Sequence, residues 1–325
     1  MSRLLPRLLV TRRWPEAVER RLCALFDTTL NTDDHRLSAD ELRAALRDFD
    51  AVLPTVSDRL DASVLTIDAP RARILANYGV GYSHIDLDTA RARGLVVTNT
   101  PGVLTDCTAD LALTLMLMVA RRAGEGEREV RAGQWSGWRP THLVGTRLSG
   151  KTLGIIGMGR IAIAVARRAQ HGFGMKVVYF NRSAVAPAQL AGLDATACAR
   201  IEDVLAQADF VSLHCPGGGA NRHLIDAARL AAMPPHAFLI NTARGDVVDE
   251  AALVDALQHG RIAGAGLDVY ENEPQLHPGL LALQNVVLLP HLGSATRETR
   301  EAMGMRVVDN LVAFFDGKRP PDQVS

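Results

Sequence analysis

The stretch KTLGIIGMGRIAIAVARRA, residues 151–169, joins an apolar run to an amphipathic helical pattern through Gly157 and Gly159. Glycines give such a turn its backbone angles and let a pyrophosphate approach the amides at the helix N-terminus. Ala162 stands where this fingerprint often has a third glycine, and one methyl group is usually tolerated there. A lone motif of this kind can also be a tight βα turn without a ligand. The strand before it, the helix after it and a second strand at the expected distance favour a dinucleotide site.

The second strand ends in the tip of KVVYFNRS, residues 176–183, where the residues decide what the adenosine ribose can carry. Asn181 stands about 20 residues past the glycines, where an NAD-specific site places Asp or Glu. An amide there removes the repulsion of a 2′-phosphate, Arg182 offers a fork matched to phosphate oxygens, and Ser183 adds a hydroxyl donor. The tip predicts NADP(H) as the preferred cofactor and leaves NAD(H) open. The alternative is that Arg182 points into solvent.

Short apolar runs alternate with helical patterns along the chain, which is typical of βα units and a parallel sheet. Beside the run that precedes Gly157, the predicted strands are LLV 8–10, AVL 51–53, ILA 74–76, LVVTN 95–99, KVVYF 176–180, DFVSLHC 209–215, AFLINTA 237–243, IAGAGLDVY 262–270 and VVLLP 286–290. In SADELRAALRD, Ser38 can cap a helix and Glu41 can close the capping box. The sequence therefore predicts two α/β units.

Composition limits the function classes. The 325 residues are 47% hydrophobic and 22% charged, and Lys+Arg and Asp+Glu balance at 36 each, which argues against nucleic acid or an anionic membrane as the main partner. Cys23, Cys107, Cys198 and Cys215 form no CxxC pair, so we expect no metal site and a reducing compartment. The apolar stretch 111–120 has ten residues where a membrane span needs about 20. We expect a soluble, cytoplasmic protein.

Three further stretches each follow an apolar strand: NTARGDVVDE (241–250), GLDVYENEP (266–274) and PHLGSAT (290–296). Open α/β sheets build their sites at the carboxyl ends of strands. Together the stretches offer an arginine, two acids and a histidine. Taken singly, a histidine after a proline is usually a surface or capping residue, and Arg-Gly-Asp can be a turn. Their placement at the ends of successive strands favours a common site.

With NYGVGYSHIDLD and NTPGVLTDCTADLALTLML, these stretches make the chain resemble the D-isomer-specific 2-hydroxyacid dehydrogenase family over nearly its whole length. Within the family the chain is most similar to the glyoxylate/hydroxypyruvate reductases. The resemblance implies two doubly wound parallel-sheet domains, with a Rossmann-type cofactor domain (104–292) inserted into a flavodoxin-like substrate domain (1–103 and 293–325). It also implies NADPH-dependent reduction of glyoxylate or hydroxypyruvate to the 2-hydroxy acid by hydride transfer.

The resemblance assigns catalytic roles as well. Arg244 would bind the substrate carboxylate and help polarise the keto oxygen, His291 would be the general acid, and Glu273 would hold its imidazole. These residue types suit the reaction, because hydride delivery to C2 requires a proton at the emerging alkoxide and a histidine donates one near neutral pH. An always-charged bidentate cation suits a carboxylate. The backbone amides of Val80 and Gly81 would also meet the substrate carboxylate.

A larger set of residues is implied to line the cofactor: Thr108, Gly157, Gly159, Arg160, Ile161, Asn181, Arg182, Ser183, Cys215, Pro216, Asn221, Thr242, Asp268, His291 and Gly293. Among them, Asp268 would orient the nicotinamide carboxamide. The chain departs from the family pattern after Cys215-Pro216, where members often have Leu-Thr-x-x-Thr and this chain has GGGAN. Asn221 would replace one of those threonines.

The segment 121–148 fits neither unit and contains Trp135 and Trp138. The resemblance implies a dimer arm, and hence a homodimer, in which Trp138 enters the partner's pocket and joins the substrate-binding residues. A bulky indole there would favour small acids. The alternative is that Trp138 only anchors the interface.

Two other functions stay open. One is a broader-specificity D-2-hydroxyacid or phosphoglycerate-type dehydrogenase, although we expect no added regulatory domain after KRPPDQVS at the chain end. The other, of a different class, is a nucleotide-sensing, corepressor-like binding protein, which can keep the same residues. Turnover of a keto acid separates the enzymes from the binding protein.

Overall fold

The structure, a computed structural model, describes residues 5–325. The chain forms two compact units. The first contains the residues up to Leu104 together with Ala295–Ser325, and the second is Thr105–Ser294. The second unit is therefore an insertion in the sequence of the first.

The first unit is built on a five-stranded parallel sheet. Its strands are β1 (Arg7–Val10), β2 (Asp27–Leu30), β3 (Ala51–Leu53), β4 (Ile74–Ala76) and β5 (Val96–Thr98). The helices between them are α1 (Glu16–Leu25), α2 (Ala39–Asp48), α3 (Ala62–Leu65) and α4 (Leu87–Ala92). The strand order β2-β1-β3-β4-β5 is that of flavodoxin-like sheets. At the start of α2, the predicted capping box between Ser38 and Glu41 is present.

The second unit is built on a seven-stranded parallel sheet. Its strands are β6 (Thr152–Ile156), β7 (Lys176–Phe180), β8 (Ala195–Ala197), β9 (Phe210–Leu213), β10 (Phe238–Asn241), β11 (Gly264–Leu267) and β12 (Val286–Leu288). Its helices are α5 (Thr105–Ala120), α6 (Ala123–Arg131), α7 (Arg160–Phe173), α8 (Ile201–Leu205), α9 (Ala227–Ala231), α10 (Glu250–Gln258) and α11 (Pro278–Leu281). Short 3₁₀ turns occupy Pro187–Leu190, Gly219–Asn221 and Gly245–Val247.

The strand order of this second sheet, β12-β11-β10-β9-β6-β7-β8, is that of a Rossmann fold with a seventh strand added. The order reverses between β6 and β9, and ligands of open α/β sheets bind at such a reversal. Two apolar clusters cover the sheet, one of them with α5 and α7, the other with α8 and α10. The predicted fold class, two doubly wound parallel sheets, is confirmed.

The strands β2 and β8 were not predicted from the sequence. Both are short edge strands, with the sequences DTTL and ATA, and their residues are partly or fully exposed. An edge strand buries less of its surface, so it lacks the apolar run that reveals a central one. Several predicted strands were too long at their carboxyl ends, as in 209–215 and 262–270, because the chain turns there into polar loops.

The segment predicted as an arm starts after Ala120, the last residue of α5, and its end comes back to contact the same residue. A β-carbon at Gly145 would lie 2.3 Å from the Ala120 carbonyl oxygen, and the Thr146 amide donates to that oxygen at 2.8 Å. Between these points α6 has no buried residue in this chain as described. Trp135 and Trp138 are exposed.

After the second unit, α12 (Arg297–Phe315) completes the first unit by packing on α1. Gly304 makes this contact close, since a β-carbon there would lie 2.5 Å from Val18 side-chain carbons. Across residues 5–325, none of the helices is both long and apolar enough to pass through a membrane. The predicted cellular location stays a prediction.

Candidate active site

The strands β10, β11 and β12 are neighbours, so the three polar stretches predicted from the sequence start at one edge of the second sheet. Arg244 follows β10, Glu273 follows β11, and His291 follows β12. All three lie in the second unit. The fold therefore brings together an arginine, a carboxylate and an imidazole that are far apart in the sequence.

Glu273 and His291 form a direct pair. The Nδ1 atom of His291 lies 2.9 Å from Oε2 of Glu273, and both side chains are about one-third exposed. The other carboxylate oxygen, Oε1, accepts a hydrogen bond from the Tyr270 amide at 3.0 Å. Burial raises the pKa of Glu273, but the hydrogen bond and charge of His291, the Tyr270 amide and the charge of Arg244 together lower it below its usual value. The carboxylate thus stays ionised beside an imidazole.

The backbone of His291 is fixed by Asp268. The carboxylate of Asp268 accepts hydrogen bonds from the amides of Leu292 at 2.6 Å and Gly293 at 2.8 Å, and its carbonyl accepts one from the His291 amide. His291 has a φ of 56°, in the left-handed region. Burial raises the pKa of Asp268 against these hydrogen bonds. Thr108 adds a hydrogen bond from its hydroxyl to the Gly293 carbonyl, at 2.9 Å.

Arg244 is set by the turn that follows β10. The side chain of Asn241, which is 1% exposed, accepts from the Ala243 amide and donates to the Arg244 carbonyl at 2.9 Å. Burial lowers the pKa of the Arg244 guanidinium, opposed by the charges of Glu273 and Asp246. An arginine remains a cation after such a shift. The edge therefore carries one fixed positive charge close to a carboxylate–imidazole pair.

Two glycines allow the loops of this edge to touch. A β-carbon at Gly245 would lie 1.8 Å from the carbonyl carbon of Tyr270, so the Arg244 loop passes directly against the segment that leads to Glu273. A β-carbon at Gly217 would lie 2.4 Å from Asp246 and 2.9 Å from the Arg244 β-carbon. The first glycine of GGGAN thus has a physical reason, because at Gly217 the loop after β9 lies against Arg244 with no room for a side chain.

The glycine-rich turn follows β6 and so lies at the reversal of strand order. Gly157 has a φ of 93°, and a β-carbon there would lie 2.9 Å from the Cys215 amide nitrogen. Gly159 is the N-cap of α7 and has open space around it. Since glycine has no side chain to accept the first helical N–H groups, these donors at Arg160 and Ile161 face an open position. Ala162 is fully buried against β6.

The tip after β7 has an internal brace. Asn181 accepts a hydrogen bond from the Met158 amide at 2.9 Å and donates one to the Ser183 carbonyl at 2.8 Å. Its side chain therefore joins the glycine-rich turn to the tip. Arg182 and Ser183 are exposed, and the Arg182 guanidinium has no hydrogen-bond or ion-pair partner within residues 5–325.

The end of β9 supplies the opposite wall of the turn. Burial raises the pKa of the Cys215 thiol to about 11, so the thiol is neutral. Asn221, 8% exposed, donates to the Pro216 carbonyl at 2.9 Å and closes the loop. The hydroxyl of Thr242 is buried without a hydrogen-bond partner in the described part of the chain. An unpaired buried hydroxyl beside an open site is typical of a group that meets a ligand.

Two predicted substrate residues, Val80 and Gly81, lie in the first unit. Asn99 donates to the Val80 carbonyl at 2.9 Å, and the buried Asn77 donates to the Gly81 carbonyl at 3.1 Å. The carbonyls of this loop are therefore held by the side-chain amides of two buried asparagines. The Val80 and Gly81 N–H groups have no acceptor in the part of the chain that is described. Trp138 lies in the second unit and is 81% exposed.

Comparison with known proteins agrees with this geometry. Residues 113–293 match the family model of the D-isomer specific 2-hydroxyacid dehydrogenase NAD binding domain. The chain is 45% identical over 325 residues to a glyoxylate reductase of Thermococcus litoralis, covering 98% of this chain and 97% of that protein. The chain belongs to the D-isomer specific 2-hydroxyacid dehydrogenase family.

Solved structures resemble the chain over nearly its whole length. An NADPH-dependent glyoxylate/hydroxypyruvate reductase of Sinorhizobium meliloti, solved with NADP and malonate, is 39% identical with a TM-score of 0.87, covering 98% of this chain and 97% of that one. The holo D-mandelate dehydrogenase of Rhodotorula graminis is 30% identical with a TM-score of 0.89, covering 99% and 98%. This member of the family is accordingly an NAD(P)-dependent D-2-hydroxyacid dehydrogenase.

The residues of the second unit fit a nicotinamide dinucleotide. The cradle at Gly157 and Gly159, the open N-terminus of α7 and the unpaired hydroxyl of Thr242 are the features that such a cofactor uses. Asn241 and Asp246, which shape the loops around Arg244, were not predicted as site residues from the sequence. The role of Asn241 could have been predicted from the sequence, because an Asn at a strand end commonly closes a turn through its own side chain. The role of Asp246 could not have been predicted in this way, since its hydrogen-bond partner Gly218 is distant in sequence.

Proposed function

We propose that the protein reduces glyoxylate, hydroxypyruvate or both to the 2-hydroxy acid with NADPH. The observation that carries this proposal is the 2.9 Å pair of His291 and Glu273 at the strand edge that also holds the Arg244 guanidinium. A carboxylate-held imidazole and a fixed cation are the two groups that reduction of an α-keto acid requires of a protein. The names of the Thermococcus and Sinorhizobium relatives support the choice of substrate.

Each residue then has a distinct part in the reaction. The bound nicotinamide would supply the hydride. Arg244 would hold the substrate carboxylate with its planar fork and draw electron density towards the keto oxygen. His291, held at Nδ1 by Glu273, would donate the proton from Nε2 as the alkoxide forms. Asp268 would keep the His291 backbone in place and orient the carboxamide.

The cofactor preference rests on the tip after β7. No carboxylate stands at position 181, and the partnerless guanidinium of Arg182 beside the Ser183 hydroxyl suits a 2′-phosphate. Asn181 would act by bracing the tip against the glycine-rich turn. The remaining cofactor residues, among them Cys215, Pro216, Asn221 and Thr242, would line the rest of the dinucleotide.

For the first unit we propose substrate binding. Its buried Asn77 and Asn99 hold the carbonyls of the loop at Val80 and Gly81 and leave two neighbouring N–H groups for an anion. Paired backbone amides of this kind bind carboxylates. The second unit would bind the cofactor.

We further propose that the arm makes the protein a homodimer. Val130, Trp135, Trp138 and Val144 expose apolar surface on a segment whose helix α6 buries none of its described residues, and such surface marks an interface. Trp138→Ala would test both suggested roles. A weaker dimer with an unchanged substrate profile makes Trp138 an anchor only, and wider acceptance of long side chains places it beside the substrate.

The decisive experiment measures kcat/KM for glyoxylate and hydroxypyruvate, with NADPH and NADH in parallel. We expect turnover of at least one acid and a preference for NADPH. Preference for NADH would contradict the cofactor proposal alone. Absence of turnover of both acids with both cofactors would contradict the enzyme and favour the corepressor-like binding protein.

A broader-specificity enzyme is the second candidate. The fold of the D-mandelate dehydrogenase relative is the same at a TM-score of 0.89, and mandelate carries a phenyl ring, so this fold can serve a substrate larger than glyoxylate. Turnover of phenylglyoxylate at a rate comparable to glyoxylate would favour this candidate.

A further inference from the structure

The carboxylate that holds His291 lies on an exposed loop. Residues 272–275 are all exposed, and Glu273 is among them. Before this loop, Tyr270 is fixed by a hydrogen bond from its hydroxyl to the Leu289 carbonyl at 2.9 Å. The geometry of the Glu273–His291 pair therefore depends on how well the first residues of the loop are held.

Glu271 is the residue that fastens the loop. Its side chain is 15% exposed, and Oε1 accepts hydrogen bonds from Arg222 and from Nε2 of His223, the latter at 2.9 Å. Its backbone amide donates to the carboxylate of Glu250 at 2.7 Å, and Glu250 is 6% exposed at the start of α10. A partly buried carboxylate with two side-chain donors is held firmly, because without them it would be left desolvated and unpaired.

The two donors come from a different loop, the one that follows β9. Arg222 and His223 stand directly after the turn closed by Asn221. His223 has a φ of 50°, and its amide donates to the Asp246 carbonyl at 2.7 Å. Asp246 in turn accepts from the Gly218 amide at 2.7 Å. Glu271 thus links the loop that would line the cofactor to the loop that carries Glu273.

We propose that Arg222, His223 and Glu271 form a clamp that positions Glu273 against His291, and so sets the rate of proton donation. The clamp touches neither substrate nor cofactor in this proposal; its residues are positioning residues. The proposal rests on the proposed function, because it assumes that the Glu273–His291 pair does the chemistry.

The test is Glu271→Gln, which keeps the size of the side chain and removes its charge. A matched control is Glu202→Gln, since Glu202 pairs with Arg229 at 3.0 Å in the same unit but joins only α8 to α9. We expect kcat to fall about 10- to 100-fold in Glu271→Gln, the usual effect of displacing a catalytic group by about 1 Å, with KM for the keto acid within about twofold. The control should keep both constants.

A double-mutant cycle separates positioning from general damage. In a Glu273→Gln background, Glu271→Gln should lower kcat by less than about twofold, because the group it positions is already gone. His223→Asn provides an independent variant, as asparagine tolerates a positive φ but is too short to reach Glu271. It should show the same dependence on Glu273, and it serves in the cycle if Glu271→Gln does not fold.

The outcomes are distinct. Equal losses in both backgrounds, or a lower melting temperature with unchanged kcat, would overturn the clamp. An active wild-type enzyme with Glu271→Gln as active as Glu202→Gln would overturn the clamp and leave the proposed function intact. A wild-type protein without turnover would overturn the proposed function and the clamp together.

Discussion

The two strand-end regions of the second unit are built in opposite ways. At the ends of β10, β11 and β12, the side chains of Asp268, Glu273 and His291 have fixed partners, and backbones touch where Gly245 has no side chain. At the end of β7, Arg182 and Ser183 project from the surface, and only Asn181 is braced. A proton donor must be aligned with its acceptor, whereas a charge that selects a phosphate needs only to be within reach. Substitutions in the first region should therefore affect rate and stability, and substitutions in the second should affect selectivity alone.

The largest effect is expected at His291. His291→Asn should lower kcat by about 10²–10⁴-fold with the Kd of the cofactor largely kept, because only the general acid is lost. Asparagine is chosen since it accepts the left-handed backbone at this position. Steady-state kinetics and cofactor fluorescence titration measure the two quantities, with His259→Asn, at the exposed position directly after α10, as the control. An unchanged kcat would remove His291 from the mechanism.

His214 should give the next largest effect, on stability. It follows β9 between the two regions, its ring lies 2.9 Å from the buried Ser212 hydroxyl, and burial lowers its pKa from 6.5 to about 4. Because the folded pKa is the lower one, the unfolded chain takes up the proton first as the pH falls. The neutral His214 ring therefore leaves the free energy of unfolding at its full value above pH 6.5. That free energy falls by up to about 3 kcal/mol as the pH drops towards 4.

Urea unfolding at several pH values tests this expectation. His214→Gln should flatten the loss of unfolding free energy between pH 6.5 and 4, whereas His259→Gln should keep the wild-type slope. A slope that is the same in all three proteins would show that His214 does not titrate across this range.

Gly245 tests how tightly the first region is packed. Gly245→Ala should lower the free energy of unfolding by about 1–3 kcal/mol, because its β-carbon meets the Tyr270 backbone. Gly172→Ala is the matched control, as it lies in α7 with open space around it and should raise stability by about 0.5–1 kcal/mol. If Gly245→Ala has wild-type stability and kcat, the loops at Arg244 and Glu273 are not held by close contact.

A similar contrast, between buried strands and exposed or long-range features, explains how much of the fold and of the site can be predicted from the sequence. Strands buried on both faces, such as AVL 51–53 and KVVYF 176–180, have the predicted bounds because burial demands a continuous apolar run. The edge strand β8 is not buried on both sides, so its sequence needs no apolar run and shows none. At the site, Arg244, Glu273 and His291 were visible because each follows an apolar strand. The partners of Glu271 were not, since a hydrogen bond between residues 48 or 49 positions apart leaves no local pattern.

The smallest effect is expected at Arg182. Arg182→Gln should lower kcat/KM with NADPH about tenfold, near the lower end for one charged hydrogen bond at an exposed site, and should leave kcat/KM with NADH unchanged. Its melting temperature should equal that of the wild type, because Arg182 has no partner in residues 5–325 to lose. Arg200→Gln, which removes an exposed arginine paired with Asp203, is the control. An unchanged ratio of the two cofactors would place Arg182 in solvent, and the second region would then hold no selecting charge. A ratio that changes together with stability would instead mean that this region is braced as firmly as the first.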